Sequence, residues 1–302
     1  MNEQDMKVSV LDPISPAIER VKTILFRPFD LGKWFVIGFC AWLACLGSGP
    51  RGNFNFNYRP HHELERAVHE AKEFVAANLA WIIPAAVVVV LLIVGIGLVI
   101  TWLNSRGRFM LLHCVALDKA EIKNPWTKFG RHGNSLFLFR IVMGLIGAAM
   151  VLPCIAAIVI IVAALSHRGP NIGVIAGAAM FVLIIIAISV VFLLIEKFTM
   201  DFVVPIMFLR TTSCVTAWRE FLTVLSANKG RFVLYILFQI LIGLCVGVIV
   251  IGLICVTCCC AACILAIPYI GTVLVLPLIM FKRAYSLYYL RQFGLRFDVF
   301  SA

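Results

Sequence analysis

Five stretches of the chain carry no Asp, Glu, Lys or Arg and are dominated by apolar side chains: residues 34–50, 74–105, 141–167, 169–195 and 232–281. A helix needs about 20 apolar residues to cross the hydrocarbon core of a bilayer, and at these lengths only helices satisfy all of their backbone polar groups inside lipid. The last stretch is long enough for two crossings. The pattern therefore predicts an all-α integral membrane protein with about six transmembrane helices, at 31–48, 81–103, 137–164, 173–198, 232–255 and 265–284.

Composition and charge agree with this prediction. Hydrophobic residues make up 62% of the chain and charged residues 14%, whereas a typical soluble domain has about 25% charged residues. Lys and Arg set the orientation, because they are retained in short cytoplasmic loops. With the N-terminus inside, the inner segments hold all 26 Lys and Arg residues except Arg51, Arg59, Arg66, Lys72 and Arg168. We therefore predict a multi-pass protein of the cell (inner) membrane with both termini cytoplasmic.

The formal net charge of +11 follows from the same distribution. Basic residues collected at the cytoplasmic side of spans attract the anionic headgroups of the inner leaflet. The predicted partners are therefore membrane lipids, including anionic headgroups at the cytoplasmic face, and no nucleic acid needs to be invoked.

Polar segments that precede the first, third and fifth predicted spans resemble one another. Residues 14–25 place apolar side chains at helical spacing, and the other two segments share a Trp-x-x-Phe pattern, Trp126 with Phe129 and Trp218 with Phe221. Amphipathic helices of this kind lie in the membrane interface, with aromatic side chains at headgroup depth. We therefore predict three interfacial helices, two of them anchored by these aromatic residues.

The ends of the fourth and sixth predicted spans are also alike, because VVPIMFLR closes one and VLPLIMFKR closes the other. Pro205 and Pro277 lie at matching positions, and a proline inside a helix bends its axis. Two matched kinks are expected to open a cytoplasm-facing crevice lined by Met207, Met280 and nearby arginines. Residues 1–302 then form a single membrane domain with a threefold repeat of interfacial helix and helical hairpin, in units of about 13–116, 120–212 and 213–292. The alternative is that aromatic and basic residues recur at any inner membrane boundary.

Short motifs carry a resemblance over nearly the whole chain: FRPFDLGKW (26–34), SRGRFM (105–110), NPW (124–126), GNSLFLFR (133–140) and DFVVPIM (201–207). The chain resembles a family of uncharacterised prokaryotic multi-pass membrane proteins. It is also similar, more distantly, to the membrane domain attached to some bacterial glycerophosphodiester phosphodiesterases. The resemblance implies no catalytic residues, and the soluble phosphodiesterase barrel with its metal-binding carboxylates has no counterpart in these residues.

Charged residues near the inner ends of the predicted spans are costly unless they face a partner or water. Five of them have complementary signs: Arg106, Arg108, Arg140, Glu196 and Asp201. We predict a buried charge network in which Asp201 pairs with Arg106 or Arg108, and Glu196 pairs with a remaining basic residue such as Arg140. The alternative is that all five side chains extend to the interface and pair only with lipid phosphate and water.

Residues of metal-ligating type cluster twice. The segment CVTCCCAAC (255–263) lies in an apolar stretch, which favours packing over a disulfide or a zinc site. His62, Glu65 and His69 share one face of an amphipathic helix over 61–73, which favours a solvated surface over a metal site. The sequence contains no Walker loop, G-x-S-x-G or H-E-x-x-H. We predict no catalytic residue, no cofactor and no metal, and therefore a protein that is not an enzyme.

Two functions fit these features. The first is a non-enzymatic membrane protein that organises lipid or docks a partner at the inner face of the membrane. The second is a transporter or channel for a small solute, peptide or lipid, through a crevice lined by kinked helices. A water-filled crevice around the charged residues favours transport, and a dry, fully paired network favours the organising role.

Overall fold

The computed structural model of the protein describes residues 8–47, 78–168, 172–257, 264–265 and 267–301. All regular structure in these ranges is helical. The helices are α1 (Ile14–Phe26), α2 (Leu31–Cys45), α3 (Leu79–Leu117), α4 (Lys123–Lys128), α5 (Gly130–Arg168), α6 (Ile172–Phe198), a π-helical turn (Thr199–Val203), α7 (Val204–Arg210), α8 (Cys214–Ala227), α9 (Lys229–Val256), α10 (Pro268–Leu274) and α11 (Leu276–Arg291), followed by 3₁₀ turns at Leu295–Phe297 and Val299–Ser301. The predictions for 61–73 and for most of 255–263 lie outside the described residues.

Local sequence explains several helix boundaries. Asp30 and Ser213 precede α2 and α8, and the side chain of each accepts a hydrogen bond from a backbone N–H of the first turn. Such caps satisfy donors that have no partner inside the helix. Asp118 and Thr211 adopt the left-handed conformation directly after α3 and α7, which stops each helix.

Four helical stretches are long and apolar enough to cross a membrane: Trp81–Leu117, Gly130–Ala163, Ala176–Arg210 and Lys229–Val256. They contain most of the second to fifth predicted spans. Three of them have 34 to 37 residues, so they are about 50–55 Å long, whereas the hydrocarbon core of a bilayer is about 30 Å thick. One end of each helix therefore extends beyond the hydrocarbon core.

The long helices have two unlike parts. Their most apolar segments contain almost no buried residue, and such a surface is the one that lipid covers in a membrane protein. Buried side chains lie instead at the charged end of each helix, within 104–116, 130–136, 199–208 and 232–239. These four segments pack with α1, α2, α8 and α11, and we call the resulting core the packed layer.

The first predicted span is not confirmed, because α2 is shorter than the helices that could cross a membrane and lies in the packed layer. The Lys33 ammonium is 2.8 Å from Asp118 at the end of α3. At the other end of α2, the Asn104 amide donates to the backbone oxygens of Ala44 and Leu46, at 2.7 and 2.8 Å. The 15-residue helix therefore runs beside 104–118 and not beside 81–103. An apolar helix of this length can bury its surface either against protein or in lipid. The sequence of the helix does not distinguish these two environments.

The sixth predicted span is divided into two short helices. Helix α10 ends at Leu274, and α11 begins at Leu276 with Pro277 in its first turn. The Tyr269 hydroxyl donates to the backbone oxygen of Phe35 at 2.9 Å, which fixes α10 against α2. The described residues therefore contain four helices that are long and apolar enough to span a membrane, and neither the six predicted spans nor the predicted threefold repeat is confirmed.

The predicted interfacial helices pack against protein through their apolar faces. The Phe129 ring lies 4.8 Å from that of Phe208, and the Phe221 ring lies 5.2 Å from that of Phe202. Both Phe129 and Phe221 are buried against protein, and their predicted position at headgroup depth stays a prediction. Trp126 and Trp218 are half-buried at the edge of the packed layer. Aromatic partners on the ends of the long helices explain this burial.

A cross-linking experiment tests the position of α2. The sulfur atoms of Cys40 and Cys114 are 3.9 Å apart in the packed layer. In a variant that retains only these two cysteines, we expect a thiol oxidant to form an intramolecular disulfide, detected by mass spectrometry of the digested protein. A second variant pairs Cys40 with Ile93→Cys, in the apolar half of α3. A cross-link in the second variant and none in the first would instead place α2 beside 81–103.

Candidate functional site

An ion-pair cluster joins α3, α5 and α6 where the apolar halves of these helices meet the packed layer. The Arg140 guanidinium is 3.0 Å from the Glu196 carboxylate, and Arg108 approaches the same oxygen at 3.7 Å. Both arginines also donate to the Asn104 side-chain oxygen, at 2.7 Å from Arg140 and 2.6 Å from Arg108. Because the Asn104 amide is held by the end of α2, this residue fixes the two guanidinium groups relative to each other.

The same region contains a third arginine, Arg283 of α11. Its Nη1 donates to the backbone oxygen of Met200, while its Nε and Nη2 are buried without a hydrogen-bond partner among the described residues. Glu196 is the carboxylate of the Arg108 and Arg140 ion pairs, and its side chain is 50% exposed. Arg108 and Arg140 thus share one half-exposed carboxylate, and Arg283 lies close enough to act on the charge of Arg108. Even with Asp201 counted, whose charge acts on Arg283, the site has more guanidinium groups than carboxylates.

Asp201 belongs to a separate polar network. Its carboxylate is 2.8 Å from the Lys197 ammonium and accepts a hydrogen bond from the Tyr235 hydroxyl at 2.9 Å. The Gln239 amide donates to that hydroxyl at 3.0 Å. The sequence predicted that Asp201 pairs with Arg106 or Arg108. The structure places its carboxylate against Lys197 and Tyr235 instead. Asp201 lies five residues after Glu196, and side chains with this spacing face different neighbours.

Arg106 lies outside both networks. Its guanidinium carbon is 4.4 Å from the centre of the Trp102 ring and 4.9 Å from that of Trp126. Its Nη2 donates to the Asn134 side-chain oxygen at 3.3 Å. Cation–π contacts of this kind take the place of the predicted carboxylate partner. Trp126 thus has a role in joining α4 to α3, whatever its depth in the membrane.

Two cavities border the arginines. The larger has a volume of about 470 Å³. Its lining includes the polar residues Arg140, Glu196, Thr101, Ser189 and Thr199 and the residues Phe139, Met143, Gly144, Phe192, Leu193, Ile195 and Met200. The smaller, of about 230 Å³, is lined by Ala44, Cys45, Arg108, Leu111, Met200 and Arg283. Met200 of the π-helical turn lines both of them.

The predicted proline kinks have a different form in the structure. Pro205 lies two residues after the end of the π-helical turn, inside the continuous helical stretch Ala176–Arg210, whereas Pro277 is in the first turn of α11. Pro277 therefore removes no hydrogen bond from a helix interior, whereas Pro205 lacks the N–H that would donate within its continuous stretch. Met207 and Met280 are fully buried, so they do not line an open crevice. The cavities lie instead at the arginines.

The sequence prediction missed uncharged polar residues of the site. It was based on runs without charged residues, and such runs contain uncharged polar residues as well as apolar ones. Asn104 and Tyr235 are the main examples. Arg283 was missed for another reason, since it follows an apolar stretch and resembles an ordinary basic end of a span.

Within the described ranges, no group of three His, Cys, Asp or Glu side chains is placed to hold a metal ion. Burial raises the pKa of the Cys214 thiol to about 12, so it remains protonated at neutral pH.

Comparisons with known proteins identify a family without a described activity. The model of a family described as "Family of unknown function (DUF7544)" matches residues 8–284. No curated protein and no solved structure matches the chain. The comparisons show no link to the membrane domain of glycerophosphodiester phosphodiesterases, so that resemblance stays a prediction.

Proposed function

The chain belongs to this family of unknown function, and we propose that it is a non-enzymatic integral membrane protein that binds and organises anionic lipid at the cytoplasmic boundary of the membrane. The observation that carries the proposal is the larger cavity, where a cationic residue and an apolar wall face the same space. A phospholipid has this combination of an anionic headgroup and an apolar chain.

The cavity has the chemistry of a lipid site along its whole length. Arg140 is the cationic donor of its lining, because the hydroxyl groups of Ser189 and Thr199 already donate to backbone oxygens at 2.7 and 2.6 Å. Phe192 and Leu193 supply the apolar wall, and Leu193 is exposed on the surface of α6 that lipid would cover. A lipid can therefore approach sideways from the bilayer without crossing the packed layer.

The electrostatic balance supports an anionic headgroup. The Glu196 carboxylate is shared between Arg108 and Arg140, so it does not neutralise both. An arginine adjacent to a partly exposed cavity attracts phosphate, because its planar fork can donate two hydrogen bonds to neighbouring oxygens. A zwitterionic headgroup brings an additional cation and is expected to bind more weakly.

The proposal is tested by lipid retention. We expect Arg140→Gln to lower the retention of phosphatidylglycerol relative to phosphatidylcholine about fivefold, since one cationic residue near an anionic surface contributes about 1 kcal/mol. Native mass spectrometry of protein released from mixed-lipid nanodiscs gives this ratio. Arg210→Gln is the matched control, because Arg210 also pairs with a glutamate, Glu220 at 3.3 Å, but lines neither of the two arginine cavities. Equal losses in both variants, or no preference for anionic lipid in the unaltered protein, would contradict the proposal.

Transport is the second candidate, and one observation favours it. The π-helical turn Thr199–Val203 lies next to both cavities, and π-helical turns occur frequently at functional sites. A transporter also needs a path along the apolar halves of the long helices. The two arginine cavities lie at the packed-layer end of these helices. Solute uptake into proteoliposomes, lost on Arg140→Gln, would support transport over lipid organisation.

A further inference from the structure

We propose that the smaller cavity is an anion site that binds a phosphate group through Arg108 and Arg283. The cavity lies between the end of α2, α3, the π-helical turn and α11, and its volume is about 230 Å³. A water molecule occupies about 30 Å³ of liquid, so a tetrahedral oxyanion and a few waters fit. This inference does not depend on a lipid in the larger cavity.

The hydrogen bonds of Arg283 leave one edge of its guanidinium group available to a ligand. Its Nη1 is satisfied by the backbone oxygen of Met200, which fixes the orientation of the guanidinium plane. Its Nε and Nη2 are buried and have no partner in the part of the chain that the structure describes. These two nitrogens form the edge that donates two parallel hydrogen bonds to an oxyanion. Buried polar groups without a partner are rare in native proteins, and many of them bind an ion or an ordered water.

Arg108 supplies the second cationic wall. Its Nε is engaged by Asn104 at 2.6 Å, so its position is fixed before a ligand binds. Its Nη2 is 3.7 Å from Glu196, a longer distance than the 3.0 Å between Arg140 and the same oxygen. Glu196 therefore pairs more weakly with Arg108 than with Arg140. This leaves the charge of Arg108 available to an anion in the cavity.

The residues around the cavity identify the class of ligand. The six lining residues are Ala44, Cys45, Arg108, Leu111, Met200 and Arg283, which include two guanidinium groups and no carboxylate. The neighbouring Asp201 acts on the charge of Arg283, but it contacts Lys197 and Tyr235 and does not line the cavity. Two fixed cations on a cavity wall that carries no carboxylate match a dianion, and a phosphomonoester has this charge together with oxygens for a bidentate arginine. The phosphate can belong to a lipid headgroup or be free in solution.

The first experiment uses inorganic phosphate as the probe. We expect phosphate to bind the delipidated protein in detergent and to raise its melting temperature. Arg283→Gln should weaken phosphate binding at least tenfold, and Arg283→Lys should weaken it as well, because lysine keeps the charge but loses the two-nitrogen edge. Lys282→Gln is the matched control, since Lys282 is the adjacent residue of α11, is exposed and lines neither arginine cavity. If Arg283→Gln does not fold, Arg108→Lys tests the opposite wall.

A second arm separates the two sources of phosphate. Native mass spectrometry from nanodiscs compares the retention of phosphatidic acid, a phosphomonoester lipid, with that of phosphatidylcholine. Selective retention of phosphatidic acid that is lost in Arg283→Gln and kept in Arg140→Gln identifies a lipid phosphate in the smaller cavity. Binding of inorganic phosphate alone identifies a soluble ligand. If neither probe binds, or if both bind Arg283→Gln as well as the unaltered protein, the cavity is not a phosphate site.

Discussion

Gly107→Ala is expected to destabilise the protein by about 1–3 kcal/mol, the usual cost of an overpacked contact. A Cβ atom at this position would lie 2.6 Å from the backbone nitrogen of Ala44 and 2.6 Å from the carbonyl carbon of Leu43. These are backbone atoms of α2, so no side chain can rotate away to make room. The helix α2 would have to move from α3, and its buried face would lose contact with the packed layer.

Gly97 on the same helix is the matched control. A Cβ atom there would meet nothing within 4 Å, and alanine favours a helix by up to about 1 kcal/mol over glycine. Gly97→Ala should therefore leave the melting temperature in detergent unchanged or slightly higher, while Gly107→Ala lowers it. Gly107→Leu should additionally abolish the Cys40–Cys114 cross-link, and Gly97→Leu should not. Equal stability of the two alanine variants would mean that α2 is not held against Gly107.

The hydrophobic pattern predicted the type of structure more accurately than the number of spans. Long charge-free runs do form long helices, because a run of about 27 or more apolar residues has no other way to satisfy its backbone in lipid. A short run such as 34–50 carries less information. Its length suits a bilayer crossing with help from flanking residues, but it equally suits a helix that packs one face against protein. Gly107 was the residue whose contacts decide this, and nothing in its immediate sequence indicates an approaching backbone.

Charges near the membrane boundary were predictable as a group but not in their pairing. Glu196 contacts Arg108 and Arg140, close to the prediction that it pairs with a basic residue such as Arg140. Opposite charges at the same depth pair with each other because little water is present to solvate them. Asp201 lies at a similar depth and yet faces α9. The partner that decides its orientation is Tyr235, a residue without charge inside an apolar run. Pairing therefore depends on the rotation of each helix, which hydrophobic periodicity does not specify when all faces of a helix are apolar.

Asp201→Ala is expected to cost about 2–3 kcal/mol of stability in detergent, the range for buried hydrogen bonds to a charged group. The change removes the acceptor of the Tyr235 hydroxyl and the counter-ion of Lys197. Lys197 is partly exposed, so water can compensate for part of its loss, and the cost stays below that of a fully buried ion pair. Glu19→Ala is the control, because Glu19 is an exposed carboxylate whose ion pairs with Lys22 and Arg27 contribute about 0–1 kcal/mol.

Double-mutant cycles then distinguish the two polar networks. Asp201→Ala combined with Tyr235→Phe should cost clearly less than the two single losses added together, because each change alone leaves the other group without its partner. Asp201→Ala combined with Arg108→Ala should be additive, since Arg108 contacts Glu196 and Asn104 instead. Denaturation of the purified protein in one detergent measures the stability of every variant. Strong coupling between Asp201 and Arg108, with none between Asp201 and Tyr235, would contradict this arrangement. It would mean that α6 is rotated relative to its neighbours. The arginines would then be neutralised by carboxylates and would have no excess charge for an anion.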